Sequence, residues 1–212
     1  MPRPASDIQY RIVSAARVRF LDEGVDGASL REIARDASTN IGMIAYYFPT
    51  KDDLFLAVVE GVYSGFVRDI EALLGVDGST RTRLRGAFVR IGKASDLELD
   101  VIRLVVRESL SSSTRLRRIG ARFMRGHLSL LIDTIRDGVQ NGELDAAIPA
   151  PLLLIAVMAL GGMPQIARRA GQGLPLFKAL PGVEALADLS IELVFRAVGA
   201  RPRRGPTRAA TR

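Results

Sequence analysis

The sequence predicts an all-α chain, with three short N-terminal helices, a long fourth helix and a larger helical domain after it. Three observations carry that expectation. Apolar residues recur at steps of three and four along most of the chain. No segment alternates apolar and polar residues as a half-buried strand does. Glycine, proline and serine fall where helices start and stop.

Ile8, Ile12, Ala16 and Phe20 recur every four residues, with Val13 and Ala15 beside them, and predict a helix over roughly 7–22 closed by Gly24. Ser29 and Glu32 have the spacing of a capping box ahead of Leu30, Ile33, Ala34 and Ala37, so a short second helix follows. The polar stretch Ser38-Thr39-Asn40 forms a turn. A third short helix runs from Ile41 to Phe48 and is stopped by Pro49. Thr50 to Asp53 start a fourth, and Leu54, Phe55, Val58, Val59, Val62, Phe66, Ile70 and Leu73 carry it over 51–74.

After a turn at Gly75 to Ser79, helices are expected over 81–94 and 98–109, with a break at Ser111-Ser112-Ser113. Ile119, Phe123, His127, Leu131 and Ile135 then mark one long helix over 114–140, closed by Gly142. An apolar helix over 149–170, a loop over 171–181 and a last helix over 183–198 complete the chain. Ala146–Ala167 is uncharged, which raises the question of a membrane. Three prolines and two glycines interrupt it, and its dense apolar part, Leu152–Leu160, is too short to cross a bilayer. A buried interface helix in a cytoplasmic protein without a membrane partner is expected.

Composition narrows the chemistry. The 212 residues are 48% hydrophobic and 25% charged, ordinary for a globular protein. The absence of cysteine excludes disulfides and thiolate sites, and the single histidine, His127, excludes multi-histidine metal clusters. No metal site and no cofactor is expected. No Gly-rich phosphate loop, G-x-S-x-G or paired-carboxylate motif is present, so an enzyme is not expected. The net charge of +7 is misleading, because residues 1–51 and 52–199 each carry +1 and the arginine tail 200–212 carries +5. A role in nucleic-acid binding must therefore rest on local pattern.

That pattern is ASLREIARDASTNIGMIAYYFPTK, residues 28–51. Two short helices flank a tight turn, a helix precedes them, and a long helix follows at once. An α-helix fits the major groove, and its N-terminal residues reach base edges. The stretch resembles the DNA-binding domain of the TetR family of bacterial regulators. The matching residues are Phe20, Gly24, Ser29, Leu30, Ile33, Ala34, Ala37, Gly42, Ile44, Tyr47, Phe48, Lys51 and Leu54.

The resemblance implies a helix-turn-helix domain over 1–51, a linking helix over 51–74, a helical ligand-binding and dimerisation domain over 75–199, and a disordered Arg-rich tail over 200–212. It implies that Ser29 and Arg31 lie near the DNA, and that Thr39, Asn40, Ile41, Gly42, Met43, Ala45 and Tyr46 form the start and face of the recognition helix. Tyr47 and Lys51 would bind phosphates. Other readings stand beside these: Tyr46 and Tyr47 as core aromatics, Lys51 as a solvated helix start, Arg31 as one half of an ion pair. The sequence departs from the family at Ser38, where glycine is usual, at Thr39, where a small aliphatic is usual, and at Ile41, where lysine is frequent. With Ile41 and Met43 confined to apolar contacts, Asn40 is the polar candidate for a base edge.

By the same resemblance the larger domain would hold a mostly apolar effector pocket, for which Phe66, Phe88, Phe123, Met124, His127 and Leu131 are the candidates. His127 reads first as a satisfied core histidine and only second as a polar group of the pocket. Arg103, Arg107 and Glu108 read as helix-surface or inter-helix pairs. The last two helices would form a homodimer interface through Leu153, Val157, Leu160, Leu186, Leu189 and Leu193, with small residues such as Ala156 and Gly161 permitting close approach. A two-fold dimer would read a palindromic operator in double-stranded DNA. The function expected is an effector-controlled, sequence-specific repressor. A helical interaction module without DNA binding is the alternative.

Overall fold

Gly24 adopts φ 80°, a left-handed conformation that costs glycine little, and it kinks α1 (Ala5–Gly27) where the sequence places a stop. The computed structural model describes residues 5–200 apart from Ser112, so the tail 201–212 lies outside the described residues. Helices α2 (Leu30–Asp36), α3 (Ile41–Tyr47) and α4 (Lys51–Leu74) follow as expected. Then come α5 (Thr80–Gly92), α6 (Asp96–Ser111), α7 (Ser113–Phe123) and α8 (His127–Gln140). The chain ends in α9 (Ala150–Val157), a π-helical turn Met158–Gly162, α10 (Met163–Ala170), α11 (Pro175–Lys178) and α12 (Val183–Val198). Among the described residues there is no strand, only one isolated antiparallel bridge between Leu144 and Gly199.

Helix starts are set locally. Thr50 and Asp53 cap α4 reciprocally: each backbone N–H donates to the other's side chain at 3.1 Å. Ser95 and Glu98 do the same for α6 at 3.3 and 2.7 Å. The expected capping box at Ser29 does not form. Ser29 occupies the N-cap position, but its side chain makes no cap hydrogen bond. Glu32 turns instead to Arg19, whose Nη1 donates to it at 2.8 Å. A charge-assisted bond outweighs a neutral backbone donor here.

Two further expectations are corrected. The long helix over 114–140 is two helices, because the chain turns at Met124–Gly126 through short Arg125 N–H to Arg122 O and Gly126 N–H to Phe123 O bonds. The loop 171–181 contains the short helix α11. The apolar run is helical throughout Ala150–Ala170, 21 residues, long and apolar enough by composition to cross a membrane. One face of it packs within its own unit, and 28% of its most apolar window is buried. Gln165 is fully buried, with Nε2 donating to Val183 O at 2.9 Å, and α10 packs on α5 and α12.

The chain divides into two compact units. One joins the stretch up to Ala72 with Ala94–Ser129, and the other joins Leu73–Lys93 with the stretch from Leu130 onward. This division by compactness differs from the division expected at residues 51 and 75, since α6 and α7 share a unit with the N-terminal helices. The first unit's core gathers Ile12, Ala16, Phe20, Ile33, Ile44, Leu54, Phe55 and Val58 with Val101, Leu104 and Ile119. Burying side chains of this size contributes roughly 1.5–3 kcal/mol each before entropy is counted. The second unit packs α12 on α5 and on the π-helical turn, with Phe88 against Gly161.

Candidate nucleic-acid interface and effector region

The turn between α2 and α3 is closed by α1. Arg11 Nη1 donates to Ala37 O and Ser38 O, and Ser38 takes φ 49°. This positive φ occupies the position where glycine is usual, so the departure noted in the sequence is a strained but retained turn geometry. Arg19 fixes α2 against α1 through Asp36 at 2.7 Å and Glu32 at 2.8 Å, and also meets Glu23 on its own helix at 2.8 Å. The Arg19 guanidinium holds the Asp36 carboxyl below the usual carboxylate range.

Helix α3 presents the expected residues outward. Ile44 and Phe48 are buried beneath it, whereas Asn40, Ile41, Gly42 and Ala45 are exposed and Thr39 and Met43 are half-buried. Tyr46 is 77% exposed, so it is no core aromatic. Tyr47 is half-buried against the core, its ring 5.1 Å from that of Tyr46. Asn40 is the N-cap of α3, and its Oδ1 accepts from Met43 N–H at 3.0 Å. The amide therefore has one end committed to the helix, and a bidentate grip on adenine would cost α3 its cap. A methyl group at Gly42 would meet only that cap oxygen, at 3.1 Å.

The cations lie around this helix. Arg31 is exposed on the first turn of α2 beside the half-buried Ser29. Lys51 is directed inward: its Nζ donates to Asp26 O at 3.0 Å and Ala28 O at 2.9 Å. Two of the three ammonium donors thus brace the segment leading into α2. Arg115 on α7, absent from the sequence reading, braces the same place. It is buried, pairs with Asp26, and donates to Asp52 at 2.9 Å and to buried Glu108 at 2.8 Å. Asp26 is held below its ordinary value by that guanidinium. Arg107 donates to Phe20 O and Leu21 O, so Arg107 and Glu108 are inter-helix contacts, as read from the sequence.

The six effector candidates are divided between the two units. Phe66, Phe123 and His127 gather in the first unit around Tyr63, which the sequence reading missed. Phe123 stacks on Tyr63 with centroids 4.6 Å apart, and the Tyr63 hydroxyl lies 2.8 Å from Nδ1 and 2.9 Å from Nε2 of His127. Burial pushes the Tyr63 hydroxyl up and lowers His127 to about 4, so both are neutral at physiological pH. Met124 is 49% exposed at the turn between α7 and α8. Phe88 and Leu131 belong to the second unit, where Phe88 is buried and Leu131 half-buried. A cleft of about 440 Å³ opens beside the Tyr63–His127 pair. A second of about 620 Å³, mostly apolar, lies between the end of α8 and residues 146–154.

The expected dimer residues divide by register. Leu153, Val157 and Leu186 are buried inside their own unit and have little surface to offer a second copy. Leu160 is half-buried. Leu189 and Leu193 are more than half exposed, and Leu152, Ile155 and Met158 expose apolar surface on α9 and the π-helical turn.

Residues 12–58 match the model of a family described as bacterial regulatory proteins, tetR family. The chain is 28% identical over 163 residues to the HTH-type transcriptional repressor SCO4008 of Streptomyces coelicolor, spanning 74% of this chain and 80% of that protein. It is 39% identical over 66 residues to the HTH-type transcriptional repressor NicS of Pseudomonas putida, 31% of each. In fold it is similar to a TetR family transcription regulator from Marinobacter aquaeolei VT8, with TM-score 0.68, 18% identity and coverage of 92% and 97%. It is also similar to the transcriptional regulator FadR from Bacillus subtilis in complex with stearoyl-CoA, with TM-score 0.65, 17% identity and coverage of 88% and 97%.

Proposed function

Since the chain belongs to the tetR family of bacterial regulatory proteins, we propose that it acts as a homodimeric repressor whose hold on a palindromic operator is controlled by a small molecule. The observation that carries the DNA-binding part is the outward face of α3. Its start is capped by Asn40, Tyr46 projects from it, and Ile44 and Phe48 close the core beneath. Base readout falls to Thr39, Asn40, Ile41, Gly42, Met43, Ala45 and Tyr46. Ser29, Arg31, Tyr47 and the remaining donor of Lys51 serve the phosphates on either side. Residues 1–51 form the DNA-binding part, and residues 75–199 serve effector binding and dimerisation.

Dimerisation rests on Leu189 and Leu193 of α12 with the exposed apolar residues of α9. These exposed apolar residues lie on two helices that pack on each other, which supports a partner there. A two-fold pair of α3 helices then reads half-sites about one helical turn apart. The cytoplasm is the setting for such a regulator. The stearoyl-CoA bound to FadR supports a small-molecule effector here.

Gel-shift titration against the DNA upstream of the gene, at several salt concentrations, tests the reading. A sequence-selective, salt-sensitive shift is expected. Binding of all DNA alike, or none under any condition, overturns it.

A further inference from the structure

Helices α4 and α7 are joined by a row of ion pairs. Arg115 meets Asp52 at 2.9 Å, Arg118 meets Asp53 at 2.6 Å, and Arg122 meets Glu60 at 3.0 Å. The row is graded. Arg115 is buried and tied to Asp26 beside the helix-turn-helix, whereas Arg122 and Glu60 are about half exposed. An exposed pair of this kind contributes roughly 0–1 kcal/mol and is readily exchanged for another anion.

The exchangeable end of the row lies at the 440 Å³ cleft. One wall is the α4 face bearing Tyr63, Val67, Arg68 and Glu71, and the other is the corner from Arg122 to His127. Among its lining residues three arginines, Arg68, Arg122 and Arg125, stand against one carboxylate, Glu71. Helix α8 begins at this corner without an acidic residue in its first turn, so its N-terminal N–H groups add positive potential. The uncharged part of the lining is Val67, the Tyr63 ring, which is backed by Phe123, and His127 bonded to Tyr63. The volume is in the range of small-molecule sites.

We infer that this cleft takes an amphiphile with an anionic head, a carboxylate or a phosphate, and that the head draws Arg122 away from Glu60. This rests on the regulator reading and adds the charge of the effector to it. Removing the outermost pair loosens α7 on α4. Arg115 and Arg118 carry that change to Asp52 and Asp53 at the start of α4, and Arg115 carries it to Asp26 ahead of α2. Occupancy of the cleft and placement of α3 are thereby coupled.

Calorimetric titration of the full chain with decanoate, decyl phosphate and decyltrimethylammonium, each below micelle formation, tests the inference. The two anions are expected to bind at least tenfold more tightly than the cation, and whichever anion binds tighter identifies the head group. Arg68→Ala with Arg125→Ala should lower anion affinity at least tenfold with the thermal midpoint unchanged. Glu60→Gln removes the competitor and should raise anion affinity several-fold. Equal binding of anions and cation, or no gain in Glu60→Gln, overturns the inference. So does anion binding that leaves the gel shift unchanged. Loss of the gel shift in the ligand-free protein would instead overturn the regulator reading, while anion-selective binding would still stand by itself.

Discussion

Nη1 of Arg115 donates to Glu108 Oε2 at 2.8 Å, and both side chains are buried. The same guanidinium holds Asp26 and Asp52, one before α2 and one at the start of α4. One residue of α7 thus fixes two segments of the helix-turn-helix. Arg115→Ala would leave the buried Glu108 carboxylate with only Arg107 at 3.6 Å and Val25 N–H at 3.5 Å, a change that costs up to about 3–5 kcal/mol. Urea unfolding followed by circular dichroism measures it. A loss below about 1 kcal/mol would contradict the role given to this contact. Arg115→Met combined with Glu108→Leu should restore most of the stability, because the unpaired charge is gone.

Ser38 at φ 49° makes a second prediction. Ser38→Gly should be neutral or slightly stabilising, within about 1 kcal/mol, because relief of left-handed strain and added unfolded-state entropy nearly offset. Ser38→Val should destabilise by about 1–2 kcal/mol, since a β-branched residue tolerates this region poorly. Thermal midpoints of the two variants decide the matter, and equal midpoints would show the turn to be unstrained.

On α3, capping and readout separate. Asn40→Asp keeps an oxygen for Met43 N–H, so stability should change by less than about 0.5 kcal/mol, while Asn40→Ala should cost about 1 kcal/mol. Both should weaken operator binding at least about tenfold, or 1.4 kcal/mol. Tyr46→Ala should do the same with no change in unfolding, because the ring is 77% exposed. Fluorescence anisotropy with labelled operator reads the affinity, and wild-type binding by Tyr46→Ala would remove that residue from the interface.

Leu189→Asp and Leu193→Asp should give folded monomers in sedimentation, because both residues are more than half exposed. Leu153→Asp and Leu186→Asp should unfold the protein instead, since both are buried in their own unit. A dimer unchanged by both α12 substitutions would move the interface elsewhere.

His127 is lowered to about 4 by burial, against about 6.5 in an unfolded chain. Between those values the unfolded chain binds the proton and the folded chain does not. Stability from this group is therefore complete above about pH 6.5 and is lost as the pH falls toward 4. It is the chain's one histidine, so little else titrates between pH 5 and 6.5. The thermal midpoint should fall from pH 7 to pH 5, and His127→Gln should flatten that slope. An equally steep slope in the variant would assign the effect to other groups.

What the sequence made legible was local. The spacing of Ile8, Ile12, Ala16 and Phe20 and the α3 pattern ending at Phe48 were read correctly because each depends on neighbours within a turn or two. Ser29 misled because its capping partner Glu32 finds Arg19, thirteen residues away. Arg115 was invisible for a related reason, since its partners Asp26 and Asp52 lie 89 and 63 residues away. Tyr63 carried a faint signal, a tyrosine beside the apolar stripe of α4. Leu153 and Val157 of α9, expected at an interface, are buried in their own unit. The stretch APLLLIAV is apolar on every side, so nothing in it distinguishes the face of Leu153 from that of Leu152 or Ile155.

The π-helical turn at Met158–Gly162 bears on the gene as well as the protein. Such a turn accommodates one residue more than the surrounding α-helix. Loss of a single codon there would leave an unbroken α-helix with the residues after it near their present faces, whereas a codon lost from α9 would rotate every later residue of the run by about 100°. A loss in α9 would swing Gln165 away from Val183 O and Arg168 away from Gly92 O. Single-codon deletions in α9 are therefore expected to be purged by selection, while those in the exposed 172–174 loop persist.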